Sequence, residues 1–263
     1  MESNRRTYES DDIVELCRSR LGLLKPEEAI LQLIEPAIRN GRVLDIGVGG
    51  GRTTSAFSAK AREYVGIDYS EKMIAACREK FRNAPASVSF LVCDVRDMHR
   101  FTNHDFNVVI FSFNGLDLIS HDDRLIALRE ISRVCVPGGW FVFSTHNLRS
   151  AHAFFQYLPL YANYFLHPLS LLHVIRDNQR RRGANPGFRK SLRGTHAILN
   201  DGTYDFRLHQ YFIDPHYQME QLDTLDFSNV HVFSPSGAEV KASEVDMNRD
   251  QWLYFMCQTR TNE

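Results

Sequence analysis

The sequence predicts an α/β protein built on a doubly wound, mostly parallel sheet. Three observations point there. First, residues 42–54 read Arg-Val-Leu-Asp-Ile-Gly-Val-Gly-Gly-Gly-Arg-Thr-Thr: a short apolar run carrying Asp45 breaks into a glycine loop, and a helical pattern follows. Strand, glycine turn and helix in that order make the nucleotide-binding corner of such a sheet. Second, two further apolar runs end in acids, Tyr64 to Ile67 before Asp68 and Val88 to Val92 before Asp94. Third, these runs alternate with segments of helical period, the rhythm of parallel strands joined by crossover helices.

The glycine corner narrows the choice. The dinucleotide spacing G-x-G-x-x-G fails, because counting from Gly47 and Gly49 the third position holds Arg52. The phosphate-loop pattern fails too, since no Lys-Ser or Lys-Thr follows the glycines. What remains is D-x-G-x-G-x-G, which resembles motif I of the class I (Rossmann-like) S-adenosylmethionine-dependent methyltransferases. Gly47 lets the chain turn tightly, and Gly49 lets a ligand approach the backbone.

In order along the chain, residues 11–24 and 26–39 read as two helices before the first strand. Pro26, Glu27 and Glu28 suit a helix start. These helices are expected to cover the cofactor, and Tyr8 is a candidate to reach its pocket. Arg52 to Arg62 reads as helix. Asp68 follows Asp45 by 23 residues, which suits an acid at the tip of strand two that accepts both ribose hydroxyls. Ser70 is the better cap for the next helix, Glu71 to Phe81, and leaves Asp68 free. Tyr69 lies beside it. Met73 either packs against the adenine or belongs to the core. After strand three the resemblance implies that Asp94 accepts from the adenine amino group while the Val95 backbone N–H meets a ring nitrogen; Asp97 is the competing acid. Asp105 to Ser112 is a strongly apolar fourth strand, and Phe111 near its end should face the cofactor. The loop Phe113-Asn114-Gly115-Leu116-Asp117 should lie near the transferred methyl. It lacks the Asn-Pro-Pro-Tyr-like tetrapeptide common in methyltransferases of DNA bases.

Asp122 and Asp123 open another helix. Pro137-Gly138-Gly139 then turns into a fifth strand, Trp140 to Ser144. Arg-Val-Cys-Val-Pro-Gly-Gly-Trp resembles the family's Arg-Val-Leu-Lys-Pro-Gly-Gly segment. The resemblance implies a seven-stranded, mostly parallel sheet with helices on both faces and an antiparallel pair at its end. Its division would be an N-terminal helical cover (1–40), the S-adenosylmethionine-binding core (41–146), an inserted acceptor lid after strand five (147–208) and the C-terminal part of the sheet (209–263). The lid is rich in Phe, Leu and Tyr from Ala151 to Ile175. It then turns basic, with seven Arg or Lys against one Asp from Arg176 to Arg193. Gly183, Pro186 and Gly187 read as loop there. The apolar part could line the acceptor pocket, shield it from water or form a dimer face; the basic part could hold an anionic group.

Composition excludes little but directs the reading. Formal net charge is −1 over 263 residues, so there is no bulk attraction to nucleic acid or anionic membrane. Five cysteines without a C-x-x-C pair and a polar N-terminus read as a reduced, cytoplasmic protein with no zinc site. No metal-ligand set stands out.

Methyl transfer from a sulfonium is an in-line displacement in which the protein holds acceptor and methyl collinear and excludes water. A hydroxyl or acid acceptor benefits from a base. Asp117, His121, His146 and His209 qualify by position. His146, directly after strand five, is the first choice, and Asp117 is the second catalytic candidate. The expected activity is methyl transfer from S-adenosyl-L-methionine to O or N of a small-molecule acceptor, in metabolite or natural-product tailoring, with S-adenosyl-L-homocysteine as product. The alternatives are an RNA or protein methyltransferase, a non-enzymatic S-adenosylmethionine-binding partner subunit, and a membrane-surface role for residues 151–193.

Overall fold

The first strand sets the geometry. β1 (Arg42–Ile46) follows three helices, α1 (Glu2–Tyr8), α2 (Asp11–Ser19) and α3 (Lys25–Arg39), in a computed structural model that describes residues 2–154 and 168–261. The chain continues through α4 (Thr54–Ser58), β2 (Glu63–Asp68), α5 (Glu71–Lys80), β3 (Val88–Val92), β4 (Phe106–Phe111), a 3-10 turn (Gly115–Leu118), α6 (His121–Val134) and β5 (Cys135–Asn147). Then come α7 (Leu148–Phe154), α8 (Pro168–Ala184), α9 (Phe188–Ser191), β6 (His196–Leu199) and β7 (Gln210–Ile213). A helix (Pro215–Thr224), β8 (Phe227–Phe233), β9 (Glu239–Val240), a helical turn (Ala242–Val245) and β10 (Trp252–Thr259) complete it.

The sheet order is β3-β2-β1-β4-β5-β10-β8-β9, with β7 alongside the end of β5 and β6 alongside β7. β1 to β5 are parallel, and β10 is antiparallel to both β5 and β8. The alternation of side chains splits the core in two. Val109 and Phe111 face one apolar cluster, with Phe141, Phe143 and Phe255. Val108 and Ile110 face the other, with Ile34, Val43, Tyr64 and Tyr254. Because the strands are parallel and in register, the ends of β1, β2 and β4 bring the glycine loop, Asp68 and the Phe113-Asn114 loop to one edge.

Several expectations change. The sheet has ten strands among the described residues rather than seven, because β6, inside the stretch read as lid, and β7 pair with each other beside β5, and β9 adds an edge. Pro137-Gly138-Gly139 does not precede strand five. It is a bulge inside it: Phe106 faces Cys135 but Val108 already faces Trp140, and Gly138 is left-handed at φ +72°. The helix expected over Arg52 to Arg62 is only Thr54–Ser58, since Gly51 at φ +76° holds a turn in front of it. The basic stretch expected as loop is helical up to Ala184; Arg and Gln are good helix formers, and Gly183 falls in the last turn. The lid residues 155–167 lie outside the described residues. Among the described residues no helix is long and apolar enough to cross a membrane.

Candidate cofactor and acceptor sites

The glycine loop is held open by its own backbone. Gly47 and Gly49 are left-handed, at φ +62° and +53°, and a Cβ on Gly47 would lie 2.8 Å from the Phe111 ring. The Val48 N–H donates to the Ile67 carbonyl at 3.0 Å, which ties the loop to the end of β2. Asp68 then closes the corner. Its Oδ2 accepts from the Gly49 N–H (3.0 Å) and its Oδ1 from the Ser70 N–H (2.9 Å). Ser70 caps α5 as expected, accepting from the Met73 N–H at 3.4 Å. Burial pushes the Asp68 carboxyl up to about 6, against the pull of those N–H groups.

A cavity of about 420 Å³ opens above this corner. Of the expected cofactor residues, Gly47, Gly49, Asp68, Tyr69, Asp94, Val95 and Phe111 line it. Asp45 and Met73 do not. Asp45 shares a face of β1 with Val43, so it turns beneath the loop, where it accepts from Thr53 Oγ1 (2.5 Å) and Tyr64 Oη (2.6 Å). Burial raises it, too, to about 6. Met73 packs with Ile13 and Cys17 under α2 and is core. Asp94 reaches the cavity wall but is held by Arg96, through Nη2 (2.6 Å), Nε (3.0 Å) and the backbone N–H (2.9 Å). Burial pushes its carboxyl up, but Arg96 outweighs that and holds it below the usual range.

The N-terminal helices roof the cavity. Asn4, Arg5, Tyr8, Cys17 and Arg20 lie on its wall. A Cβ on Gly50 would lie 2.4 Å from the Cys17 carbonyl, so α2 rests on the loop itself. Asn4 is buried and staples α1 across the opening. Its Nδ2 donates to the carbonyls of Leu118 (3.0 Å) and His209 (2.6 Å), and its Oδ1 accepts from the His209 N–H (2.9 Å).

A second cavity of about 250 Å³ shares Tyr8, Arg20, Phe113 and Leu118 with the first. His146 is on its wall, at the end of β5 between Trp252 of β10 and Phe212 of β7. Asp117 is fully buried behind it. One Asp117 oxygen accepts from the His146 backbone N–H and from Nδ1, both at 2.7 Å. The other accepts from Arg124 Nη1 (2.9 Å) and Thr145 Oγ1 (2.6 Å). Arg124 is also fully buried and forms an ion pair with Asp117. Nδ1 faces this carboxylate, and Nε2 lies 3.2 Å from Asn114 Nδ2. His121 and His209, the other histidines considered, are on the wall of neither cavity; His121 stacks on His196 at 4.1 Å and meets Tyr211 Oη at 2.8 Å.

Sequence reasoning missed the cations that lock these loops. Arg52 was read only for glycine spacing. It pairs with buried Glu27 through Nη1 (2.6 Å) and Nη2 (2.5 Å), and Tyr254 Oη donates to the same carboxylate. Arg124 and Arg96 were given no role.

The ten-stranded sheet, the glycine corner and the acids at the strand tips define the fold of class I, Rossmann-like S-adenosylmethionine-dependent methyltransferases. Residues 43–139 match the family model described as a methyltransferase domain. Over 107 residues the chain is 30% identical to the ubiquinone biosynthesis O-methyltransferase of Thiobacillus denitrificans, covering 40% of this chain and 44% of that one. Over 113 residues it is 31% identical to a phosphatidylethanolamine N-methyltransferase of Cereibacter sphaeroides, covering 42% and 53%. The matches thus span about half the length of these curated relatives. Among solved structures, the 1,6-didemethyltoxoflavin-N1-methyltransferase of Burkholderia thailandensis, with bound 1,6-didemethyltoxoflavin and S-adenosylhomocysteine, superposes with a TM-score of 0.59 at 13% identity, over 98% of this chain and 86% of that one.

Proposed function

We propose that the chain is an S-adenosylmethionine-dependent methyltransferase acting on O or N of a small molecule held in the second cavity. The observation that carries this reading is the buried Asp68 carboxylate, paired with the Gly49 N–H at the floor of the first cavity. A carboxylate there fits a ribose, because an ionised carboxyl only accepts and has lone pairs left for two hydroxyls. Gly47 and Gly49 leave the backbone bare for close approach, Tyr69 and Phe111 offer apolar wall, and Asp94 and Val95 on the same wall are assigned to the adenine. Asp45 holds the loop from beneath. When bound, S-adenosylmethionine supplies an electrophilic methyl on its sulfonium.

The chain's own residues orient the acceptor, exclude water and receive its proton. His146 turns Nε2 toward Asn114 of the second cavity, while Asp117 and Arg124 hold its ring. His146 is thereby the candidate base and Asp117 its positioning residue. Residues 147–208 are kept as the acceptor lid. Asp201, Thr203 and Tyr204 on the wall of the second cavity support that role. The other boundaries proposed are 1–40, 41–146 and 209–263.

Calorimetric titration with S-adenosylhomocysteine, with NAD as control, tests the reading. Micromolar binding of the first alone is expected; no binding removes the proposal. Asp68→Ala should weaken it by about 1.5–3 kcal/mol, roughly ten- to a hundredfold, because hydrogen bonds to a charged acceptor are lost. Once an acceptor is found by its gain of one methyl mass, His146→Ala should lower turnover far more than cofactor affinity. Equal turnover across pH would end its role as base.

A further inference from the structure

Phe113 is on the wall of both cavities, and two guanidinium groups lie over its ring, Arg20 at 4.9 Å and Arg52 at 5.2 Å from the centroid. They differ in their partners. Arg52 is neutralised by buried Glu27. Arg20, the residue after α2, forms no ion pair with any described residue. It is half-buried and lines both cavities, so a bound molecule can reach it. The other arginines on these walls have carboxylates: Arg5 pairs with Glu9 (3.1 Å) and Arg96 with Asp94 (2.6 Å).

The basic stretch from Arg176 to Arg193 was the sequence's candidate for holding an anion, yet no described residue of it is on the wall of either cavity. Arg180 pairs with Asp205 at 2.7 Å, and Arg181 Nε donates to the Asp201 carbonyl at 2.9 Å. Among the described residues Arg20 is therefore the one Arg or Lys on the wall of the 250 Å³ cavity. Its charge is felt on that side. Tyr204 lines the second cavity and not the first; burial raises its hydroxyl, and the Arg20 guanidinium acts against that. The one carboxylate on the same wall, Asp201, accepts from the Thr203 N–H at 2.9 Å and leaves Arg20 unpaired. The rest of the wall is rich in rings: Tyr8 and Tyr204, edge to face at 6.1 Å, with Phe113 and Trp252. A cavity of about 150 Å³ already admits benzene, so this one has room for a ring with a substituent.

We propose that Arg20 is a specificity-determining residue that holds the carboxylate of a small aromatic acid bound in the second cavity. A guanidinium fixed on one face by an aromatic ring still presents its fork of N–H donors at the edge, and that fork matches a carboxylate. Screening is weaker at a half-buried pair than at an exposed one, so the charge discriminates. The amino-acid tail of a cofactor in the first cavity is the other source of a carboxylate; the closeness of Arg20 to Tyr204 favours the second cavity, and the experiment separates the two. Naming the acid the methyl acceptor rests on the methyltransferase reading; its binding does not.

The test uses the full chain with two rings of nearly equal shape, benzoate and benzamide, titrated with and without saturating S-adenosylhomocysteine. Dissociation constants are read from the indole N–H resonance of Trp252. Benzoate should bind at least tenfold more tightly than benzamide, with the cofactor product present as well as without it. Arg20→Met keeps an apolar stem over Phe113 and should bring the ratio near one while benzamide binds as before; Arg20→Lys keeps the charge without the fork and should retain part of the ratio. If Arg20→Met loses both rings, Arg20→Lys decides: a retained preference supports the site, a ratio near one overturns it. A ratio near one in the unaltered protein, or a preference unchanged in Arg20→Met, also overturns it. A cofactor arm compares S-adenosylhomocysteine with 5′-methylthioadenosine, which lacks the amino-acid tail. If Arg20→Met weakens the first alone and leaves the benzoate preference intact, Arg20 holds the cofactor tail and the proposal falls. Benzoate preference without S-adenosylhomocysteine binding leaves this site standing and removes the methyltransferase reading, and cofactor binding without the preference does the reverse.

Discussion

Asp68 carries two opposed demands. Burial favours its neutral form and raises it to about 6; ribose hydroxyls bind its ionised form. A raised acid binds more protons folded than unfolded between about pH 4 and 6, so its contribution to stability falls as pH rises through that window and is level above it. Ligand affinity runs the other way. S-adenosylhomocysteine affinity should be level near pH 7.5 and fall toward pH 5, approaching tenfold per unit below 6, while Asp68→Asn should flatten the profile; calorimetry at four pH values checks both. A flat profile in the unaltered protein would place the ribose elsewhere. Asp68 was legible in the sequence because an apolar run ending in an acid puts that acid at a strand tip. Asp45 was legible as a strand acid but not as a loop anchor, since a period of two says which residues share a face and not what lies against it. The pairs Arg52–Glu27 and Arg124–Asp117 depend on where whole elements dock, and no local pattern announces that.

At the scale of elements, α2 and the glycine loop form one unit. Gly50 sits against the backbone of Cys17 with no room for a methyl, and Lys80 of α5 bonds the carbonyls of Gly50 (3.0 Å) and Arg18 (3.2 Å). Gly50→Ala must push α2 away, at a cost of about 1–3 kcal/mol of overpacking. The expected result is a lower thermal midpoint and at least tenfold weaker S-adenosylhomocysteine binding, with far-ultraviolet dichroism unchanged. Unaltered affinity would mean α2 is no part of the pocket. The parallel strands were readable because buried strands are short, apolar and bounded by turns. The Pro-Gly-Gly bulge, short α4 and helical α8 were not, because Gly and Pro punctuate a chain without saying whether they end an element, kink it or lie inside it. β6 was hidden for another reason: its four residues gain strand character only from β7 beside them.

Over the whole molecule, the ends of the path meet at Asn4. This residue joins α1 to Leu118, at the end of the 3-10 turn after β4, and to His209, just before β7, and Thr7 Oγ1 adds a bond to the Arg207 carbonyl at 3.3 Å. α1 thereby spans both cavities, with Tyr8 on the wall of each. The staple fastens the roof over the cavity that Asp68 lines, so it bears on exchange more than on affinity. Each Asn4 bond contributes about 0.5–1.5 kcal/mol net, and the open state already lacks all three. Asn4→Ala should therefore speed S-adenosylhomocysteine release by roughly tenfold or more in stopped-flow displacement, by weakening the closed state relative to the open one. It should also relax amide-exchange protection over residues 3–8 while leaving β1 and β4 protected. Release at the unaltered rate with α1 loosened would show that the first cavity exchanges ligand by another face, and the gating role would pass to the Phe113-Asn114 loop.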